Sequence, residues 1–179
     1  MLRRKIRPST GTITFDTINI YDFDKYTYIN NLSYTTSSPY FFNDSIINNL
    51  KYVSKNIKQI KDVLRKLNIY NIIEELPEKF NTNVLKDKTI ISSYLKFMLG
   101  FARAIISKSE ILCIYEIPHD LSNDELKNIK NSIIKFSKTK TMIIFTASDL
   151  LDSICSDFIN ISDGCVNKNN KITNTTISN

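Results

Sequence analysis

Glycine is scarce in this sequence: Gly11, Gly100 and Gly164 are the only three among 179 residues, and no two lie close together. A loop that wraps a phosphate in backbone N–H groups needs clustered glycines, because side chains block the approach. The sequence holds no such loop. Histidine is scarcer still, with His119 alone, which narrows both acid–base chemistry near neutral pH and metal ligation. The cysteines, Cys113, Cys155 and Cys165, are odd in number and make no CxxC pair, so neither a disulfide partner nor a zinc site is expected. No window approaches the roughly 20 apolar residues of a membrane helix. The opening MLRRKIRPST is charged, with no apolar run behind it of the kind a signal peptide requires. These absences lead to the expectation of a cytoplasmic chain, reaching the inner face of a membrane only through a partner.

What is present fits one folded domain. A length of 179 residues and an apolar fraction of 42% are enough for a hydrophobic core and too apolar for general disorder. The net charge of +6 raises nucleic acid or an anionic lipid surface as partners. Against that, the lysines are scattered, and the densest run, Lys51 to Lys66, alternates with Ile57, Ile60, Val63, Leu64 and Leu67 in the manner of a solvated helix face. No nucleic-acid partner is expected, and a basic binding module stands as a third reading.

Along the chain, Gly11 to Phe15 is a β-prone run after a turn, and Asn31 to Thr36 is a second strand. From Ser45 to Leu76 apolar residues recur at helical spacing, with breaks near Ser54 and Asn68, and Pro77 closes the region. Ser92 is placed to cap a helix that buries Leu95, Leu99, Ala102 and Ile106 on one face. Ile111 to Tyr115 and Thr141 to Thr146 are apolar runs expected to be buried parallel strands, with Cys113 packed as a small hydrophobe. Ser122-Asn-Asp-Glu125 is a capping-box pattern opening a helix to about Phe136. A hairpin is expected from Ser156 to Val166 around Asp163-Gly164. The organisation expected is one domain over 1–166, containing a helical subdomain at about 45–105, then a disordered tail over 167–179. Strand–helix alternation in the second half favours an α/β fold with a parallel core sheet.

Several segments carry a family resemblance over about Arg7 to Val166: RPSTGTITFDTINI, SYTTSSPYFFNDSIINNL, LPEKFNTNV, ISSYLKFMLGFARAI, EILCIYEIPHDLS and KTKTMIIFTAS. Their order resembles the nucleotide-binding domain of an exporter-type ABC transporter, from the end of the Walker A helix through the Q-loop, signature helix, Walker B strand and switch strand. The resemblance implies a partial P-loop NTPase-like fold whose N-terminal part, with Walker A, is missing. It also implies ATP and Mg²⁺ as cofactors, and as partners a transmembrane domain and a second nucleotide-binding domain.

The resemblance assigns roles residue by residue. The Q-loop glutamine falls at Ser37, which reads more simply as a turn serine. The signature falls on Ile91 to Leu95, leaving Ser92 and Ser93 as its nucleotide-facing remnant and placing bulky Tyr94 where a glycine allows close approach to phosphate. Ser92 reads more simply as a helix N-cap. Tyr115 replaces the magnesium-orienting aspartate, a poor exchange for a hard cation that prefers oxygen anions. Glu116 aligns with the catalytic glutamate, as a relic or as a general base. The D-loop aspartate falls at Ser122 and the switch histidine at Ala147. The function expected is a degenerate domain, unable to hydrolyse ATP alone, acting as a structural or regulatory half or persisting as a remnant. The alternative is a working ATPase subunit for peptide or lipid export, whose Walker A half comes from an upstream or separate polypeptide. A sheet without that half is expected to expose apolar edges and to be marginally stable alone.

Overall fold

A computed structural model of the chain describes residues 1–86 and 90–167. The expected tail lies, but for Asn167, outside the described residues. The chain forms two compact units, Met1–Ala147 and Ser148–Asn179.

The first unit is organised around three parallel strands, β3 (Leu32–Thr36), β4 (Ile111–Tyr115) and β5 (Thr141–Phe145), in the order β3-β4-β5. They follow a short antiparallel ribbon, β1 (Thr14–Phe15) with β2 (Ile18–Asn19), and helix α1 (Lys25–Asn30). The β-prone run from Gly11 thus pairs only at its end. Asp24 caps α1 by accepting from the Thr27 N–H at 2.9 Å.

Between β3 and β4 the chain is helical, as the spacing predicts: α2 (Ile46–Lys51), α3 (Ile57–Lys66), α4 (Tyr70–Glu74) and α5 (Ser93–Ile106). The breaks fall where Ser54 and Asn68 interrupt the pattern, and Asn68 adopts a φ of 58°. In α5 the expected stripe of Leu95, Leu99, Ala102 and Ile106 is buried, but so is almost every other position. Only Ser93, Lys96 and Arg103 keep partial exposure. The cause is position: α5 packs on the sheet through β3 and on α2, α3 and α6 (Asn123–Ser137). Phe97 and Phe101 lie 6.2 Å apart along it, and Phe101 meets Phe136 of α6 edge-on at 6.4 Å.

Gly100 sets how closely α5 approaches the sheet. A Cβ there would stand 2.5 Å from Pro39 Cγ and 2.8 Å from Thr35 Oγ1. Any side chain would push α5 off β3.

Register places Ser33, Leu112 and Met142 in one row, and Thr35, Ile114 and Ile144 in the next, on the face beneath α5. Tyr34, Cys113 and Ile143, then Thr36, Tyr115 and Phe145, form rows on the opposite face. The expectation that both apolar strands are buried is corrected here. β4 buries only Leu112 and Ile114, and β5 is half-buried at best, with both ends exposed. Within this sheet β5 pairs with β4 alone, so it is an edge strand.

In the second unit, β6 (Asn160–Ser162) pairs antiparallel with β7 (Cys165–Asn167). Asp163 and Gly164 both take positive φ, 51° and 73°. Two left-handed residues match the twist of a tight hairpin, the reason an Asp-Gly pair marks one.

Candidate functional site

The candidate residues fall into two clusters, one at the start of α5 and one at the C-terminal ends of the strands. At α5, Ser92 is the N-cap: its hydroxyl accepts from the Leu95 N–H at 3.1 Å. That engagement satisfies one of the orphan donors of the first turn. Ser93 turns to the loop after β4, where its hydroxyl lies 2.9 and 2.8 Å from the two carboxylate oxygens of Asp120. Nothing in the sequence spacing points to Asp120.

Tyr94 is buried inside, at 5% exposure. Its phenol oxygen accepts from Asn128 of α6, whose amide also donates to the Leu67 carbonyl at 2.9 Å. Burial raises the phenol's pKa, with the Asn128 bond opposing. The spacing held the signal: Tyr94, Met98 and Phe101 recur at i, i+4 and i+7, so Tyr94 belongs to a buried stripe.

At the strand ends, the Ser37 N–H donates to the Tyr115 carbonyl at 3.1 Å, continuing the β3–β4 ladder by one rung. Ser37 is therefore held through its backbone. Tyr115 ends β4 with its ring 61% exposed and 6.4 Å from that of Phe145.

Glu116 follows at a φ of 58°. That left-handed conformation costs a non-glycine residue on the order of 1–3 kcal/mol unless its surroundings hold it there. They do: its N–H donates to the Phe145 carbonyl at 2.8 Å. Its carboxylate takes the Thr146 hydroxyl on one oxygen at 3.0 Å and the Ala147 N–H on the other at 3.0 Å. Ala147, where the resemblance puts the switch histidine, thus contacts Glu116 by its backbone, since its methyl group cannot hydrogen-bond. Thr146, the neighbour that supplies the side-chain bond, was not singled out from sequence.

The capping box at Ser122 is present in both directions: Ser122 accepts from the Glu125 N–H at 3.3 Å, and the Glu125 carboxylate accepts from the Ser122 N–H at 2.8 Å.

As placed, these residues do not fit a magnesium–nucleotide pair. The position before Glu116 presents a phenol, a poor partner for a hard cation that prefers oxygen anions. Among the described residues no group of three or more His, Cys, Asp and Glu is placed to hold a metal ion.

On the side of α5 facing β3, Arg103 donates to the Tyr40 carbonyl at 2.6 Å and lies 4.4 Å over the Phe41 ring, where burial lowers its pKa. Beside it, Phe42 makes ring contacts with Tyr40 at 5.6 Å and Tyr52 at 4.4 Å, and all three rings are exposed. Asn49 fixes this segment by accepting from the Phe42 N–H at 2.9 Å and donating to its carbonyl at 3.1 Å.

No protein-family model matches the chain. Curated relatives do. It is 29% identical over 150 residues to human ATP-binding cassette sub-family B member 5, covering 82% of this chain and 12% of that protein. It is 29% identical over 147 residues to the lactococcin transport/processing ATP-binding protein LcnC-like of Lactococcus lactis, covering 80% and 20%. It is 28% identical over 163 residues to the multidrug resistance-like ATP-binding protein MdlA of Buchnera aphidicola, covering 89% and 28%. The chain spans well under a third of the length of each. No described helix is long and apolar enough to cross a membrane.

Proposed function

Because the homologues of this chain are ATP-binding proteins of exporter-type ABC transporters, we propose that it is an ABC exporter nucleotide-binding domain whose catalytic apparatus is degenerate, serving as a structural or regulatory half. The observation that carries this reading is the state of Glu116. Its carboxylate accepts from Thr146 and Ala147, and the preceding residue is Tyr115 in place of a carboxylate. A general base needs metal and nucleotide positioned around the attacking water, and a phenol beside it is a poor partner for magnesium. Ser92, the other retained residue, is engaged as a cap.

The partner of such a half is the transmembrane domain of a transporter, together with a second nucleotide-binding domain that supplies the working site. The exposed ring cluster Tyr40, Phe42 and Tyr52 suits the first contact, since clustered exposed aromatics mark protein interfaces. The domain then sits at the inner face of the membrane through that partner. Assaying the purified chain for ATP hydrolysis tests the reading. No turnover above background is expected, and saturable, Mg²⁺-dependent hydrolysis overturns it.

One observation favours the alternative, a working ATPase completed by a Walker A half elsewhere. Tyr94 is turned into the core, so its ring does not obstruct the start of α5. In that case Glu116→Gln abolishes turnover of the reconstituted pair, and unchanged turnover removes the alternative.

A further inference from the structure

We propose that the free edge of β5 is where a second copy of this chain pairs, strand against antiparallel strand, about a two-fold axis through Ile143. The inference stands on the sheet itself and does not depend on what the domain does in a transporter. The three-stranded sheet has two edges, β3 and β5. α1 packs against β3, and that strand carries Ser33, Thr35 and Thr36. β5 reads Thr-Met-Ile-Ile-Phe, with neither the charge nor the proline that blunts a sheet edge.

The backbone fixes which groups face outward. The Thr141 N–H donates to the Glu110 carbonyl at 3.0 Å, and the Phe145 carbonyl accepts from the Glu116 N–H at 2.8 Å. Thr141, Ile143 and Phe145 thus bond toward β4, and Met142 and Ile144 direct their N–H and C=O groups away from it. Among the described residues those outward groups have no backbone partner. In an antiparallel pair, two residues directly opposite each other exchange both bonds. A two-fold axis through Ile143, normal to the sheet, sets Met142 opposite Ile144 of the second copy and Ile144 opposite its Met142. Every outward group is then paired. The side chains agree with this register: Met142 meets Ile144 on the face beneath α5, while on the reverse Ile143 meets its own copy and Phe145 meets Thr141. Charge sets the direction. Lys138 precedes β5 and Asp149 follows it, so antiparallel pairing brings unlike ends together, and parallel pairing would set like against like. Such a contact closes on itself and gives a dimer, with one sheet continuous through both copies. It is one strand wide, small by the measure of stable interfaces, so concentration governs it.

Amide exchange on the full chain, followed by NMR in dilute and concentrated samples, reads this edge without any variant. Met142 and Ile144 are expected to exchange about tenfold more slowly when concentrated, the scale of one hydrogen bond gained, with Thr141, Ile143 and Phe145 little changed. Sedimentation of the same samples should pass from monomer to dimer and no further. Ile143→Lys and Ile143→Glu each set like charges opposite one another at the axis, and each is expected to raise the dissociation constant about tenfold or more. Mixing the two variants should restore the dimer, because unlike charges then meet. If either does not fold, Met142→Pro is the second probe: the N–H it removes points away from β4, so the sheet loses no bond of its own. Exchange at Met142 and Ile144 that ignores concentration overturns the proposal, as does a dimer that survives these substitutions or a mixture that stays monomeric. A parent chain that is monomeric throughout overturns it too, and leaves the edge to a strand of another polypeptide.

Discussion

The two faces of the parallel sheet can be compared residue by residue, because register fixes which side chains share a side. Beneath α5 lie Ser33, Thr35, Leu112 and Ile114, all buried. On the reverse, Tyr34 is 54% exposed, Tyr115 61% and Phe145 43%. The closed face takes small polar residues only from β3, with Leu112 and Ile114 beside them, and the open face carries aromatics. β3 is small on that face where α5 comes near, with Gly100 against Pro39 and Thr35. The open face has bulk and little cover. Arg3 lies 4.4 Å over the Tyr34 ring, and Arg4 lies 4.4 Å over that of Tyr28 in α1. What closes a face is the element laid across it; apolar content alone only makes such a cover favourable.

The sharpest way to test that contrast is to remove bulk from each side. Phe97→Ala, in the fully buried core of α5, is expected to cost about 3–5 kcal/mol, read as a fall in the urea midpoint. Gly100→Ala attacks the close approach itself and is expected to cost about 1–3 kcal/mol through overpacking; a neutral result would mean α5 can slide. On the open face, Tyr115→Ser should change stability by less than about 0.5 kcal/mol, while lowering the binding of a hydrophobic dye. A large loss there would show that the face is closed after all.

The smallest effect is a dependence on alkaline pH. Burial raises the Cys113 thiol from 9.0 and, chiefly, the Tyr94 phenol from 10.0. The unfolded chain releases these protons first, so stability is full below about pH 9 and falls as the pH climbs through the folded values. Lys140, lowered from 10.5 by burial, works the other way, adding stability as the pH rises toward 10.5. Cys113→Ala should flatten the onset of the fall, measured as urea midpoints at pH 8 and pH 10.

Local signals were legible where a short stretch of chain settles the matter by itself. The cap at Ser92, the reciprocal bonds of Ser122 and Glu125, and the left-handed pair Asp163-Gly164 each depend on neighbours within three residues. The parallel sheet was legible from strand–helix alternation. Burial of β5 was not, because an apolar run records what a strand could cover, and the number of elements lying over it is a tertiary fact. For the candidate positions named from sequence, the contacts were not legible. Glu116 reaches Thr146 and Ala147 only after its backbone turns left-handed, and Ser93 meets Asp120 across 27 residues. The inward direction of Tyr94 was not legible, because bulk alone does not say which way a ring turns.

The inward turn of Tyr94 has a mechanical consequence. Its oxygen is gripped by Asn128 of α6, which also donates to the carbonyl of Leu67 just past α3 and accepts from the Asn68 amide at 3.0 Å. Three helices are thereby geared at one tooth. The end of α3, the first turn of α5 and α6 are thus joined by a hydrogen-bonded route that does not pass through the sheet.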